Sequence, residues 1–269
     1  MNTKYDQIGN NYNVTREADP YLTKKLIELL IPNADGVYLD IGCGTGNYTI
    51  QLYQAGIRMI GMDPSEKMLQ HAKKKNASID WRKGIVEDIG LPDNSIDGII
   101  ATLTIHHWTD LKKGFSELSR VLKKNGKLVI FTSSPEQMKG YWLNHYFPKM
   151  MEDSRFQMPG LDEIKSAMAI NKLEIIDSFK YFVKPDLKDK FLYCGKESPE
   201  LYFKKEIRNG ISSFTSLANK AEVNLGLTKL KSDLKKGTFQ AICDSYSDKL
   251  GDYLFILGKK PAHNNVYKK

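Results

Sequence analysis

Apolar residues in the first half of the chain fall in short runs separated by longer amphipathic stretches, the alternation expected of βα units around a parallel sheet. The run Val37–Ile41 predicts the first strand. Helical spacing from Thr45 to Gln54 follows, then a strand at Arg58–Met62, a helix at Ser65–Lys75 and a short strand around Ile79–Arg82. A buried strand is predicted over Ile96–Leu103, a helix over Leu111–Leu122, a Lys-Lys-Asn-Gly turn at Lys123–Gly126 and a strand at Lys127–Thr132. Such crossovers are right-handed.

The pattern changes at Ser134 and Pro135. Beyond them apolar positions recur at helical spacing, with an aromatic helix predicted over Gly140–Asp153 and another over Leu161–Ile170. Lys172–Val183 reads as extended, being rich in β-branched and aromatic residues. Several helices are expected between Pro185 and Leu250, and a final strand at Asp252–Gly258, so that a helical segment interrupts a terminal antiparallel hairpin.

The 269 residues fit one large α/β domain or a domain with a substantial insertion, and 41% hydrophobic against 27% charged residues excludes disorder and a membrane-spanning protein. Net charge is +8, but the excess is spread along the chain and densest in the tail, at Lys259, Lys260, Lys268 and Lys269. That dispersion argues against a nucleic-acid-binding stripe. Cys43, Cys194 and Cys243 lie far apart with no metal-ligand spacing, so neither a disulfide framework nor a metal is expected. The stretch MNTKYDQIGNNYNVTREADPYL has no apolar core, and no apolar run approaches the roughly 18 residues of a membrane span, so a cytoplasmic location is expected.

Chemistry enters at VYLDIGCGTGNYT, where a buried strand runs into Gly42, Gly44 and Gly46. Glycines permit left-handed backbone and close approach of a ligand, and the following helix start offers N–H donors. A dinucleotide fingerprint places a further glycine at the position held here by Asn47. The spacing is GxGxG instead. A strand-ending acid, Asp63 in GMDPS, can accept hydrogen bonds from a ribose diol, which indicates an adenosine moiety.

LDIGCGTG, GMDPSEKM, GIVEDIGLPDNSID and LKKNGKLVI, in this order and spacing, resemble the class I S-adenosylmethionine-dependent methyltransferases, particularly their UbiE/BioC-like small-molecule group. The resemblance covers roughly residues 1–133 and the last strand. It implies a Rossmann-like, mostly parallel α/β sheet of seven strands with an antiparallel last strand, plus a helical cap insertion. Residues 1–135 would form the cofactor core, to which 251–259 returns, and 136–250 the substrate-side insertions, including a cap over 185–250. Asp40, Gly42 and Gly44 would line the methionine portion of S-adenosyl-L-methionine, with Gly46 and Pro64 beside them. Asp63 would bind the ribose and Met68 would pack on adenine. Relatives carry an acid at the position of Ile85, so the adenine edge would fall to the Val86 N–H, with Glu87 or Asp88 as substitutes. Thr102 and Leu103 would pass beneath the methionyl chain. Tyr12 and Arg16 would close over the cofactor, Arg16 pairing with its carboxylate.

A sulfonium makes its methyl group electrophilic, so the protein has chiefly to align an acceptor. Where the acceptor carries a proton, a base is needed, and His107 and His145 are the candidates, with His106 on the substrate side. His71 and His263 read as bland. Tyr141, Trp142, Tyr146 and Phe147 read either as a rim over the sulfonium or as ordinary core, and the cap aromatics as a small separate core walling the acceptor. The expected partner is a small acceptor methylated on N, O or activated C, by a monomer or homodimer. Methylation of RNA or protein, and a non-catalytic S-adenosylmethionine- or S-adenosylhomocysteine-binding protein, are the competing readings. The last is favoured only by Ile85, and it predicts an acceptor volume filled by side chains.

Overall fold

The computed structural model describes residues 15–246 and 249–262. Seven strands form one sheet in the order β3-β2-β1-β4-β5-β7-β6: β1 Val37–Ile41, β2 Arg58–Asp63, β3 Asp80–Lys83, β4 Ile96–Thr102, β5 Leu122–Thr132, β6 Glu174–Tyr181 and β7 Tyr253–Lys259. The pairings among β1 to β5 are parallel, and β7 runs antiparallel to both its neighbours, as the sequence predicts. The Lys123–Gly126 turn falls inside the bounds of β5. There the register against β4 shifts between Ile96 and Gly98, and Asn125 takes φ 66° while its N–H bonds the Lys260 carbonyl at 2.7 Å.

Three helices alternate with strands in the first half: α1 Pro20–Leu30, α2 Asn47–Gln54 and α3 Glu66–Lys75. Asp19 starts α1 by accepting from the Tyr21 and Leu22 N–H groups, with Pro20 at the first turn, where its missing N–H costs nothing. Helix α4, Leu111–Val121, and helix α8, Leu161–Ile170, cover one sheet face, burying Phe115, Leu118, Ile164 and Met168. Leu22, Leu26 and Leu52 of α1 and α2 cover the other.

The aromatic segment is three short helices rather than one: α5 Pro135–Lys139, α6 Leu143–Tyr146 and α7 Pro148–Phe156. Pro148 cannot continue α6, and it takes the first turn of α7 instead. Between β6 and β7 the chain makes α9 Lys205–Asn209, α10 Ser212–Ser216, α11 Lys220–Lys236 and α12 Phe239–Tyr246. Among the described residues this cap has no core of its own. Phe191, Tyr193, Tyr202 and Phe214 join the same buried cluster as Phe131, Tyr181, Tyr253 and Phe255 of the sheet. Phe131 contacts Phe191 at 6.0 Å and Phe255 at 4.6 Å between ring centroids, so the cap is seated directly on β5 and β7. No helix among the described residues is long and apolar enough to cross a membrane.

Candidate active site

The sheet order reverses between β1 and β4, and open α/β sheets place ligands in the crevice beyond the carboxyl ends of the strands at such a point. The glycine turn lies there. Gly42 and Cys43 donate their N–H groups to the Met62 carbonyl at 2.8 and 3.0 Å, which draws the turn against the end of β2. Gly42 sits at φ 73°, and a Cβ built on it would lie 2.0 Å from the Thr104 hydroxyl, so both backbone and space demand glycine. A Cβ on Gly44 would meet nothing within 4 Å. That gap opens into a cavity.

The cavity measures about 330 Å³ and is lined by Arg16, Asp40, Gly42, Gly44, Asp63, Pro64, Met68, Thr102 and Leu103, all singled out from the sequence. His107 lines it too, along with Cys43, Tyr48 and Asp189, which sequence reasoning missed. Asp63 is held at both oxygens, accepting from Gly44 N–H at 2.8 Å and Ser65 N–H at 2.9 Å. Asp40 accepts from the Thr49 hydroxyl at 2.6 Å. Burial raises its carboxyl to about 7, a shift that the Thr49 hydrogen bond opposes and the nearby Asp63 charge reinforces. Asn47, standing where a dinucleotide fingerprint has glycine, ties the loop to the N-terminal segment: its side-chain amide donates to the Arg16 carbonyl at 2.7 Å.

Two sequence expectations fall elsewhere. Gly46 does not line the cavity; at φ 75° it starts α2 and packs on Trp81, whose ring lies 2.3 Å from a would-be Cβ. Glu87 uses one oxygen to accept from Thr109 N–H, the Thr109 hydroxyl and Asp110 N–H, so it anchors the loop before α4. Val86 buries its side chain in the same core cluster as Phe115, a placement that concerns the side chain and not the N–H expected at the adenine edge. Ile85, 46% exposed, is the residue of that stretch lining the cavity. Tyr12 and His263 lie outside the described residues.

A second, smaller cavity of about 80 Å³ adjoins the first. Arg16 and Leu103 line both. Leu103, at φ 53°, follows β4 and donates its N–H to Phe131. Beyond this partition stand His106, Ser133, Ser213 and Gln157, with Met138, Phe191 and Ile211 among the apolar walls. The volume is therefore open rather than filled by side chains. His106, expected on the substrate side, faces the smaller cavity, and His107, exposed, the larger, their rings 3.9 Å apart on the turn Ile105–His107.

His145, Tyr141, Trp142 and Tyr146 line neither cavity. Tyr141 stacks on Tyr193 at 4.0 Å between centroids and donates its hydroxyl to the Asp252 carbonyl. Trp142 is 1% exposed, its indole N–H bonded to the Lys196 carbonyl at 3.1 Å. Tyr146 donates to Asp233 of α11, and His145 packs on Tyr146 and Tyr246. The core reading of these aromatics holds because each polar tip finds a partner inside the fold.

The Methyltransferase domain family matches residues 39–130. A solved structure described as a methyltransferase from an antibiotic biosynthesis pathway of Anabaena variabilis is 35% identical, covers 90% of this chain and 98% of its own, and superposes with a TM-score of 0.79. The chain belongs to the class I S-adenosylmethionine-dependent methyltransferases, of the UbiE/BioC-like type. A malonyl-[acyl-carrier protein] O-methyltransferase of Yersinia pestis is 32% identical over 132 residues, 49% of each chain. An uncharacterized methyltransferase of Mycobacterium tuberculosis is 30% identical over 134 residues, 50% of this chain and 55% of its own. The chain thus spans about half the length of the curated relatives it matches.

Proposed function

We propose that the protein transfers a methyl group from S-adenosylmethionine to a small acceptor held in the cavity beside His106. The observation that carries this is the pair of cavities meeting at Arg16 and Leu103, one equipped for an adenosyl cofactor and the other for a small partly polar molecule. The larger cavity suits the cofactor on its own evidence. Thr102 Oγ1 is buried without a hydrogen-bond partner and belongs to a residue lining it, and the space over Gly44 admits a ligand against the backbone.

When bound, S-adenosylmethionine supplies a methyl group already activated by its sulfonium. The protein's share is alignment and proton handling. Asp63 holds the ribose end, Arg16 the carboxylate end, and Leu103 the floor between the two cavities. The hydroxyls of Ser133 and Ser213 and the Gln157 amide suit an oxygen nucleophile, whose proton the His106 imidazole takes. The helical cap contributes apolar walls to this cavity through Phe191, Ile211 and Leu217.

Label transfer from methyl-labelled S-adenosylmethionine into a metabolite extract, with the product identified by mass, tests the activity. No labelled small product would refute it. With the acceptor in hand, His106→Gln should remove the acidic limb of the pH–rate profile while His107→Gln leaves its shape intact. The reverse result would return the base to His107.

Asp40 gives a pH signature. A carboxyl raised to about 7 stabilises the fold fully below its ordinary value of 3.8, and that contribution is lost as pH rises through 7. A cationic ligand end beside it favours the ionised form. Cofactor binding should therefore release protons and tighten between about pH 6 and about pH 8. Calorimetry in two buffers of different ionisation enthalpy measures this, and equal heats would contradict it.

A further inference from the structure

The cap strap at 187–191 crosses the N-terminal segment at 15–19 above the cofactor cavity. Lys188 N–H donates to Asp19 at 3.0 Å and Lys190 N–H to the Thr15 carbonyl at 3.2 Å. Between these two bonds stands Asp189, 2% exposed. Its Oδ1 accepts from Arg16 Nε and its Oδ2 from Arg16 Nη2 at 3.2 Å, so the carboxylate grips one edge of the guanidinium and fixes its plane. The Tyr48 hydroxyl, on the helix that follows the glycine turn, donates to the same Oδ2 at 3.1 Å. Three chain segments far apart in sequence therefore converge on one carboxylate.

The place of this pair gives it a task. Arg16 and Leu103 are the residues that line both cavities, and Asp189 lines the cofactor side. Phe191, on the same strap, and Leu192 just after it wall the acceptor side. The orientation of Arg16 thus decides where the cofactor's carboxylate end comes to rest and where the acceptor wall begins. An arginine on an untethered segment would lose side-chain and backbone freedom on meeting a ligand, whereas one already gripped has paid that entropy in folding.

We propose that Asp189 is a positioning residue: it presets Arg16 for the amino-acid end of S-adenosylmethionine and so joins cofactor seating to the acceptor wall carried by the cap. This rests on the cofactor reading above. Asp189 acts through Arg16, so its removal should be felt by ligands bearing the amino-acid portion and not by those lacking it.

The test is calorimetric titration of the full chain with S-adenosylhomocysteine and with 5′-methylthioadenosine, which keeps the adenosine and lacks the amino-acid end. In Asp189→Asn, S-adenosylhomocysteine should bind at least tenfold more weakly and methylthioadenosine within twofold of wild type. Asp189→Glu should recover part of the loss. Equal weakening of both ligands would reduce Asp189 to a structural role, and no change in either would remove it from the site; each overturns the proposal. Should Asp189→Asn fold poorly, the double variant Arg16→Gln/Asp189→Asn leaves neither charge stranded and should show the same selective loss, with Arg16→Gln alone adding nothing to it. Wild-type protein that binds neither nucleoside overturns the cofactor assignment itself, an outcome distinct from any pattern among the variants.

Discussion

Asp63→Ala should weaken S-adenosylmethionine binding by about 2–4 kcal/mol, roughly 30- to 700-fold in Kd. The carboxylate does two things that alanine cannot. It offers lone pairs to a ribose diol, and it holds the Gly44 and Ser65 N–H groups at 2.8 and 2.9 Å, which sets the glycine turn and the start of α3. The first loss acts on the ligand directly, the second through a less ordered loop. Calorimetry with S-adenosylhomocysteine measures the sum, and the thermal midpoint of the unliganded protein measures the second part alone. Asp63→Asn, which keeps one acceptor oxygen, should fall between the two. Unchanged affinity in Asp63→Ala would refute the ribose assignment.

Gly42→Ala should cost about 3 kcal/mol of stability or more, lowering the melting temperature by roughly 6–12 °C. Two penalties combine. At φ 73° an alanine pays for left-handed backbone, and its Cβ would press into the buried Thr104 at 2.0 Å. Thr104 carries the turn of the two histidines, because its carbonyl accepts the His107 N–H at 2.8 Å. The variant should therefore disturb the acceptor side as well as the cofactor side. Gly44→Ala is the control: its φ of 54° carries the backbone penalty, but its Cβ meets nothing, so a smaller loss of stability and a larger relative loss of cofactor are expected. Equal melting temperatures for the two variants would show that the Thr104 contact does not matter.

The sheet was legible because its signals are local. Val37–Ile41 and Leu161–Ile170 have the predicted bounds, and β2, β4 and α4 differ by a residue at one end, since buried apolar runs and helical spacing need no tertiary context. The cofactor cavity was legible for the same reason, as glycines, strand ends and Asp63 occur at fixed offsets. The rest depends on contacts between distant segments. Asp189 meets Arg16 across 173 positions, and nothing in DLKDKF distinguishes it from its neighbouring charges. Trp142 and Tyr141 look the same in sequence whether they face a ligand or a core; only the carbonyls of Lys196 and Asp252 decide it. His106 and His107 are adjacent, and a tight turn sends one to each cavity.

The strand pair that brackets the cap has its own consequence. Tyr181 ends β6, Tyr253 begins β7, and the two are directly paired, so everything between them is topologically one hairpin loop. Loop-closure entropy grows only with the logarithm of length, and the two posts of this loop are fixed by the sheet whatever hangs between them. A change in its length alone therefore costs little closure entropy, whereas its replacement would have to restore the aromatic contacts on Phe131, the Tyr193 stack on Tyr141 and the Asp189 grip on Arg16. The segment is thus freer to vary in length than in the few residues that touch the sheet and the N-terminal segment.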